Sequence, residues 1–340
     1  MAHALVVLTA RHAERLGLAL LWLAAGLAAI APPEASRRPD SPPALQRVVE
    51  AVAEGAAVAI ATAPDGSVWW VTRDRAVRFD AGEPSRRRAA VAFGALPPGL
   101  RGASGPISAA HVDREGALWL GTRHGSVWSW REGTWREQLG GFSALRGPIQ
   151  AIATDGDRVY VGARGLWRGP REGRLEAVPT FAGVEIVDAR SHAGLGVAVA
   201  SRDRVWRGDA SGWREVWRAS GGDAATTVAL AAEDSLWVGT RRGLVRIDRT
   251  GRASRALDGL HVSSLATDAE GAVYAGTSGS GLFLRYAGGW RRVGAAGGRS
   301  LDHVTRLSPT AGGTLWLALA SGDLLRAGPA SASLPRVSAR

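Results

Sequence analysis

Five arginines, Arg73, Arg123, Arg164, Arg202 and Arg241, each stand directly after a short apolar segment that ends in a small residue. His124 and Arg242 extend two of these positions. His261 and His303 each precede a valine that opens a β-rich segment, and Arg306 lies within the second of those segments. A guanidinium is a planar fork of donors that matches carboxylate, phosphate or sulfate bidentately, so these ten residues brought onto one surface would recognise anions. Singly, an exposed charge pair is worth under about 1 kcal/mol, so only a cluster would act. The same residues also fit solvated turns, with Asp74 and Asp203 as neighbouring counter-charges.

Other chemistry finds less support. His261 and His303 could begin a metal site, but two histidines lack the third ligand at fixed spacing that such sites need. The acidic turns Asp113–Gly116, Asp155–Asp157 and Asp268–Gly271 lack the alternating ligand ladder of a calcium loop and read as turns. No His-Glu-x-x-His, Gly-x-Ser-x-Gly or dinucleotide fingerprint occurs. With no Cys and no Lys there is no thiolate site, no disulfide, no phosphate loop of the Walker type and no Schiff-base lysine. The expectation is no catalytic residue, no metal and no cofactor.

The formal charge of +11 raises nucleic acid as a partner. All 42 basic residues are arginine, however, and Asn is absent too, a pattern that GC-rich coding also produces. The N-terminus argues further against nucleic acid. Arg11, His12 and Arg15 precede the uncharged run Leu16–Ala31, which is export chemistry, and the positive-inside rule places the remainder outside the cytoplasm. Pro32 follows the best small-x-small site, Ala29-Ile30-Ala31, and disfavours cleavage there. As a helix the sixteen apolar residues reach roughly 24 Å, short of a roughly 30 Å hydrocarbon core, so an uncleaved anchor needs local thinning. The chain therefore reads as periplasmic or extracellular, with membrane association through residues 16–31. Residues 1–35 are the signal peptide or signal anchor, and 36–55 a linker with a short helix over Ala44–Val52.

The elements that position the arginines come from a repeat. Val68-Trp69-Trp70-Val71-Thr72 recurs as Leu118–Thr122, Val159–Ala163, Val197–Ser201, Leu236–Thr240, Val273–Thr277 and Leu315–Leu319. The middle residues Trp70, Leu120, Val161, Val199, Val238, Ala275 and Leu317 are 50, 41, 38, 39, 37 and 42 positions apart. Each copy carries four strand signals: a β-rich segment, an acidic-glycine turn, the apolar strand, a third strand such as Gly243–Arg246, and a fourth near a Gly-Trp pair such as Gly289-Trp290. Periods near 40 with four short strands define propeller blades. The fold expected over 56–340 is all-β: a seven-bladed β-propeller with four-stranded blades, preceded by the N-terminal apolar helix. Blade 7 has a candidate fourth strand near Ser333–Val337, so closure by an N-terminal strand is not expected. In a blade the turn between strands two and three shares a face with the connection into strand one, which would bring the arginines together. Trp69, Trp119, Trp128, Trp135, Trp167, Trp206, Trp213, Trp237, Trp290 and Trp316 keep repeat positions and read as packing between blades. Trp70, Trp130 and Trp217 fall off that register and are the candidates for surface contact.

Two stretches, Val262…Asp268-x-x-Gly271-x-Val273-Tyr274-x-Gly276-Thr277…Gly281-Leu282 and Val228…Leu236-Trp237-Val238-Gly239-Thr240-Arg241-Arg242-Gly243-Leu244, resemble the two-component regulator propeller repeat. The resemblance covers roughly residues 56–338. It implies a periplasmic sensor-type domain, here expected without an attached kinase, since no such segment follows Arg340. The function expected is a ligand-binding or scaffolding module that meets an anionic small molecule or protein partner on its arginine-rich face. The alternative is a metal-assisted lyase or hydrolase at the channel, drawing on His261, His303 and Glu185.

Overall fold

The computed structural model describes residues 50–79, 87–91, 105–139, 147–209, 211–231, 235–268, 271–286, 289–293, 295–296, 299–310 and 313–327. Seven four-stranded antiparallel sheets repeat along the chain, six of them in simple meander order. Blade 1 comprises Ala59–Thr62, Val68–Val71, Ala76–Phe79 and Arg87–Val91; blade 2 comprises Ile107–Val112, Leu118–Thr122, Val127–Arg131 and Thr134–Leu139. Blade 3 runs through Ala151–Asp155, Arg158–Ala163, Gly165–Pro170 and Glu176–Ala177. Blade 4 is built of Ile186–His192, Gly196–Ser201, Arg204–Asp209 and Gly212–Arg218. Blade 5 has Ala225–Ala231, Ser235–Thr240, Gly243–Ile247 and Ala253–Ala256; blade 6 has Val262–Thr267, Val273–Thr277, Leu282–Tyr286 and Gly289–Val293. A small hairpin, Ala295–Ala296 with Arg299–Ser300, leads into blade 7, whose first three strands are Val304–Pro309, Leu315–Leu319 and Asp323–Ala327.

The fourth strand of blade 7 comes from the other end of the domain. Glu50–Glu54 pairs antiparallel with Asp323–Ala327, Glu50 opposite Arg326 and Glu54 opposite Asp323. The stretch read as a linker therefore ends in a strand, and its expected helix is strand at Glu50–Val52. The propeller begins at Glu50 rather than at residue 56. The physical reason is the ring itself: the last blade's open edge and the first strand's unpaired backbone satisfy each other, which ties the two ends of the domain together. The N-terminal apolar segment and Ser333–Val337 lie outside the described residues. No helix among the described residues is long and apolar enough to cross a membrane.

The described core divides into seven clusters, one at each junction between neighbouring blades, including the junction of blade 7 with blade 1. Second strands are buried on both faces, as in Leu118–Thr122 and Val273–Thr277, because each is sandwiched between two other blades. That removes any outward face. Trp70, expected at the surface, is 2% exposed and packs between blades 7 and 1. Trp130 sits edge-on to Trp69 with centroids 5.3 Å apart, and Trp217 covers the junction of blades 4 and 5. The small residue near the end of the second strand has a steric cause. A Cβ built on Gly121 would lie 2.4 Å from Ile149, one on Gly162 2.5 Å from Ile186, and one on Gly276 2.7 Å from Val304. Each glycine thus receives the β-branched residue that leads into the next blade's first strand.

Candidate functional site

Four of the five turns that carry the sequence-selected arginines are fixed by a hydroxyl at the end of the second strand; in blade 3 that position is Ala163. In blade 2 the buried Thr122 Oγ1 accepts the Ser126 N–H at 3.1 Å, and in blade 5 Thr240 Oγ1 accepts the Arg242 N–H at 3.1 Å. Thr72 in blade 1 donates to Asp74 at 2.6 Å, and Ser201 in blade 4 donates to Asp203 at 2.7 Å. Such side-chain bonds close a tight turn without further strand pairing. The backbone of each turn is then fastened to the next blade. Ile107 N–H donates to Arg73 O at 3.0 Å, Ala225 N–H to Arg202 O at 2.7 Å, and Gly259 N–H, on the way into blade 6, to Arg242 O at 3.0 Å. Arg164 forms a bridge with Glu185.

Because these partners all sit where a first strand begins, the five turns occupy one face of the ring, called here the leading face. Arg73, Arg123, Arg164, Arg202 and Arg241 are all exposed there, as are His124, Arg242, His261 and His303. Their surroundings differ. Arg73, Arg123, Arg164 and Arg241 make no ion pair with any described residue. Arg202 Nε lies 4.0 Å from Glu185, and Arg242 Nη1 donates to Gly221 O at 2.5 Å, so its fork is partly spent. His124 lies over Gly105, where an added Cβ would be 2.9 Å from its ring. Ser278 N–H donates to His261 O at 2.9 Å and Ser278 bridges His303, so the two histidines come from adjoining backbone positions of blades 6 and 7. Among the described residues no group of three His, Cys, Asp or Glu is placed to hold a metal.

The acidic turns on the opposite face are consumed by the fold. Asp113 accepts the Glu115 and Ala117 N–H groups at 2.9 and 3.0 Å and the Trp119 indole at 3.0 Å. Asp268 accepts the Ala272 N–H at 2.7 Å and the Tyr274 hydroxyl at 2.9 Å. Their oxygens serve the turn and the second-strand aromatic.

Arg306 alone of the ten candidates lines the central channel. The first strands of all seven blades wall a cavity of about 110 Å³ there. Side chains latch the wall from blade to blade: Ser108 donates to Ile149 O at 2.7 Å, Thr226 to Val262 O at 2.5 Å, and Arg306 Nε to Val58 O at 2.6 Å. Burial pushes the Arg306 guanidinium below its ordinary value, with Arg190 adding to the effect and Asp188 opposing it. Asp188, Arg190 and Gln150 share the cavity and were missed in the sequence. A signal existed. Ile186-Val187-Asp188-Ala189-Arg190 places two charges in a first strand, where blades 2, 3, 5 and 6 put Ala109, Ala151, Thr227 and Ser264 at the Asp188 position.

No family model matches the chain, and no curated protein matches it. Solved structures do. The extracellular domain of a hybrid two-component system from B. thetaiotaomicron superposes with a TM-score of 0.64 at 15% identity, covering 81% of this chain and 38% of that one. Virginiamycin B lyase from Staphylococcus aureus gives 0.61 at 12% identity, over 79% of this chain and 92% of that one. The Cps50 (Swd1) β-propeller domain of Myceliophteria thermophila gives 0.63 at 14% identity, over 82% and 98%. The chain spans well under half the length of that extracellular domain, and all three likenesses are of fold.

Proposed function

We propose that this chain is an extracytoplasmic binding module of sensor type whose leading face recognises an anionic ligand or an acidic protein partner. The observation that carries the reading is the set Arg73, Arg123, Arg164 and Arg241: equivalent turns, one face, exposed, and without an ion pair to any described residue. Guanidiniums held on fixed backbones and left uncompensated favour a multivalent anion, because each fork can engage it bidentately at little cost in ordering. Export is supported by the charged and apolar pattern of residues 11–31 and by the likeness to an extracellular sensor domain. The repeats quoted from blades 5 and 6 support kinship with the two-component regulator propellers.

The test is titration of the full-length chain with a polyglutamate peptide and with a polyphosphate, wild type against the triple variant Arg73→Gln, Arg123→Gln, Arg164→Gln. Binding that weakens at least tenfold in the variant supports the reading; equal binding in both overturns it. The likeness to virginiamycin B lyase, with His261 and His303 on adjoining positions, favours metal-assisted chemistry as the second reading. Stoichiometric divalent metal that is lost on replacing both histidines would establish that reading in place of the first.

A further inference from the structure

Blades 4 and 7 stand three places apart in a ring of seven, so their first strands face one another across the channel. Like blades 2, 5 and 6, both carry a β-bulge at the same point of the first strand, and of the five these two alone have a charged residue just after it. The residues so placed are Asp188 and Arg306, and Arg190 follows along the blade 4 strand. All three reach the channel cavity, whose roughly 110 Å³ is room for about eight waters, or for an anion of a few non-hydrogen atoms.

Asp188 is already fully engaged. Its Oδ2 accepts the Thr227 hydroxyl at 2.8 Å and the Val228 N–H at 3.0 Å; its Oδ1 accepts the Ala189 N–H at 3.0 Å and lies 3.3 Å from Arg190 Nε. A carboxylate offers about four acceptor positions, so little remains for a second cation. Arg306 spends Nε on Val58 O and Nη1 on Thr305 O at 2.7 Å. Its Nη2 and both Nη groups of Arg190 have no acceptor among the described residues, and neither does the exposed amide of Gln150. The hydroxyl hydrogens of Ser108 and Thr226 are spent on neighbouring carbonyls. What is left is a small cavity with one uncompensated positive charge and several unused N–H donors.

We propose that this channel cavity is a binding site for a small monovalent carboxylate, bridged between Arg190 and Arg306 with the Gln150 amide as a further donor. Two facing guanidiniums repel in a confined channel, and one planar anion with two acceptor oxygens relieves both. A cation would meet two guanidiniums against one carboxylate whose oxygens are already engaged. The site goes beyond the leading-face reading, with which it shares no residue.

The experiment is calorimetric titration of the full-length chain with sodium acetate and with sodium formate, against sodium chloride at equal ionic strength. Saturable binding of the carboxylates, absent with chloride, is expected. It should weaken at least tenfold in Arg190→Gln, whose side chain bonds no other blade, and measurably in Gln150→Leu, and stay unchanged in Arg123→Gln. Carboxylates indistinguishable from chloride, or wild-type affinity in both Arg190→Gln and Gln150→Leu, would overturn the site. Neither result bears on polyglutamate or polyphosphate binding at Arg73, Arg123 and Arg164, so the two readings fail separately.

Discussion

His111 projects from the first strand of blade 2, and its Nε2 lies 2.9 Å from Thr154 Oγ1 on the first strand of blade 3. Burial, the Arg190 charge and, less strongly, Arg171 push its pKa from 6.5 down to about 4, with Asp113 opposing. A folded value below the unfolded one means that the unfolded chain binds the proton more tightly. Stability is therefore full above pH 6.5 and is lost as pH falls toward 4. At about 1.4 kcal/mol per pKa unit, going from pH 7.5 to 4.5 costs about 2.5 kcal/mol through this one group. Asp203 and Asp248, held low by the hydroxyls of Ser201 and Thr250, lose their stabilisation only below about pH 4, so the window belongs to His111. Urea unfolding of the full-length chain at pH 7.5 and 4.5, wild type against His111→Gln, measures it, since Gln keeps a donor toward Thr154 without titrating. The variant should lose about 2.5 kcal/mol less than wild type across that interval. An identical pH dependence in the two proteins would refute the assignment.

Gly162→Ala should lower stability by about 1–3 kcal/mol in urea unfolding, because its Cβ would stand 2.5 Å from Ile186 in the junction of blades 3 and 4. Arg171→Leu should cost about 3 kcal/mol in the same assay, because it leaves the fully enclosed Asp113 carboxylate hydrogen-bonded but without its counter-charge and removes the 2.6 Å pair with Glu115 that joins blade 3 to blade 2. A chain starting at residue 45 should unfold at a higher temperature than one starting at residue 56, because only the first retains Glu50–Glu54 to close blade 7; equal midpoints in calorimetry would count against closure by that strand.

Blade number, strand number and the face that gathers Arg73, Arg123, Arg164, Arg202 and Arg241 were legible in the sequence, because each blade is a local unit. Its strands pair with sequence neighbours, its turns need Gly, Asp or Thr at fixed offsets, and the period near 40 repeats that grammar seven times. Three features came only from the tertiary structure, and each joins residues far apart in the chain. Strand Glu50–Glu54 carries no repeat motif, and its partner Asp323–Ala327 lies at the far end of the domain, so its short apolar run Ala51-Val52-Ala53 read equally well as part of a helix. Trp70 looked off-register because most other copies carry their aromatic at the Trp69 position, and only closure of the ring sets it in the cluster with Trp316 and Leu324 of blade 7. Asp188, Arg190 and Arg306 meet only because a closed ring of seven turns the first strands of blades 4 and 7 toward one axis. Local sequence sets each blade; closure alone decides which side chains share the channel.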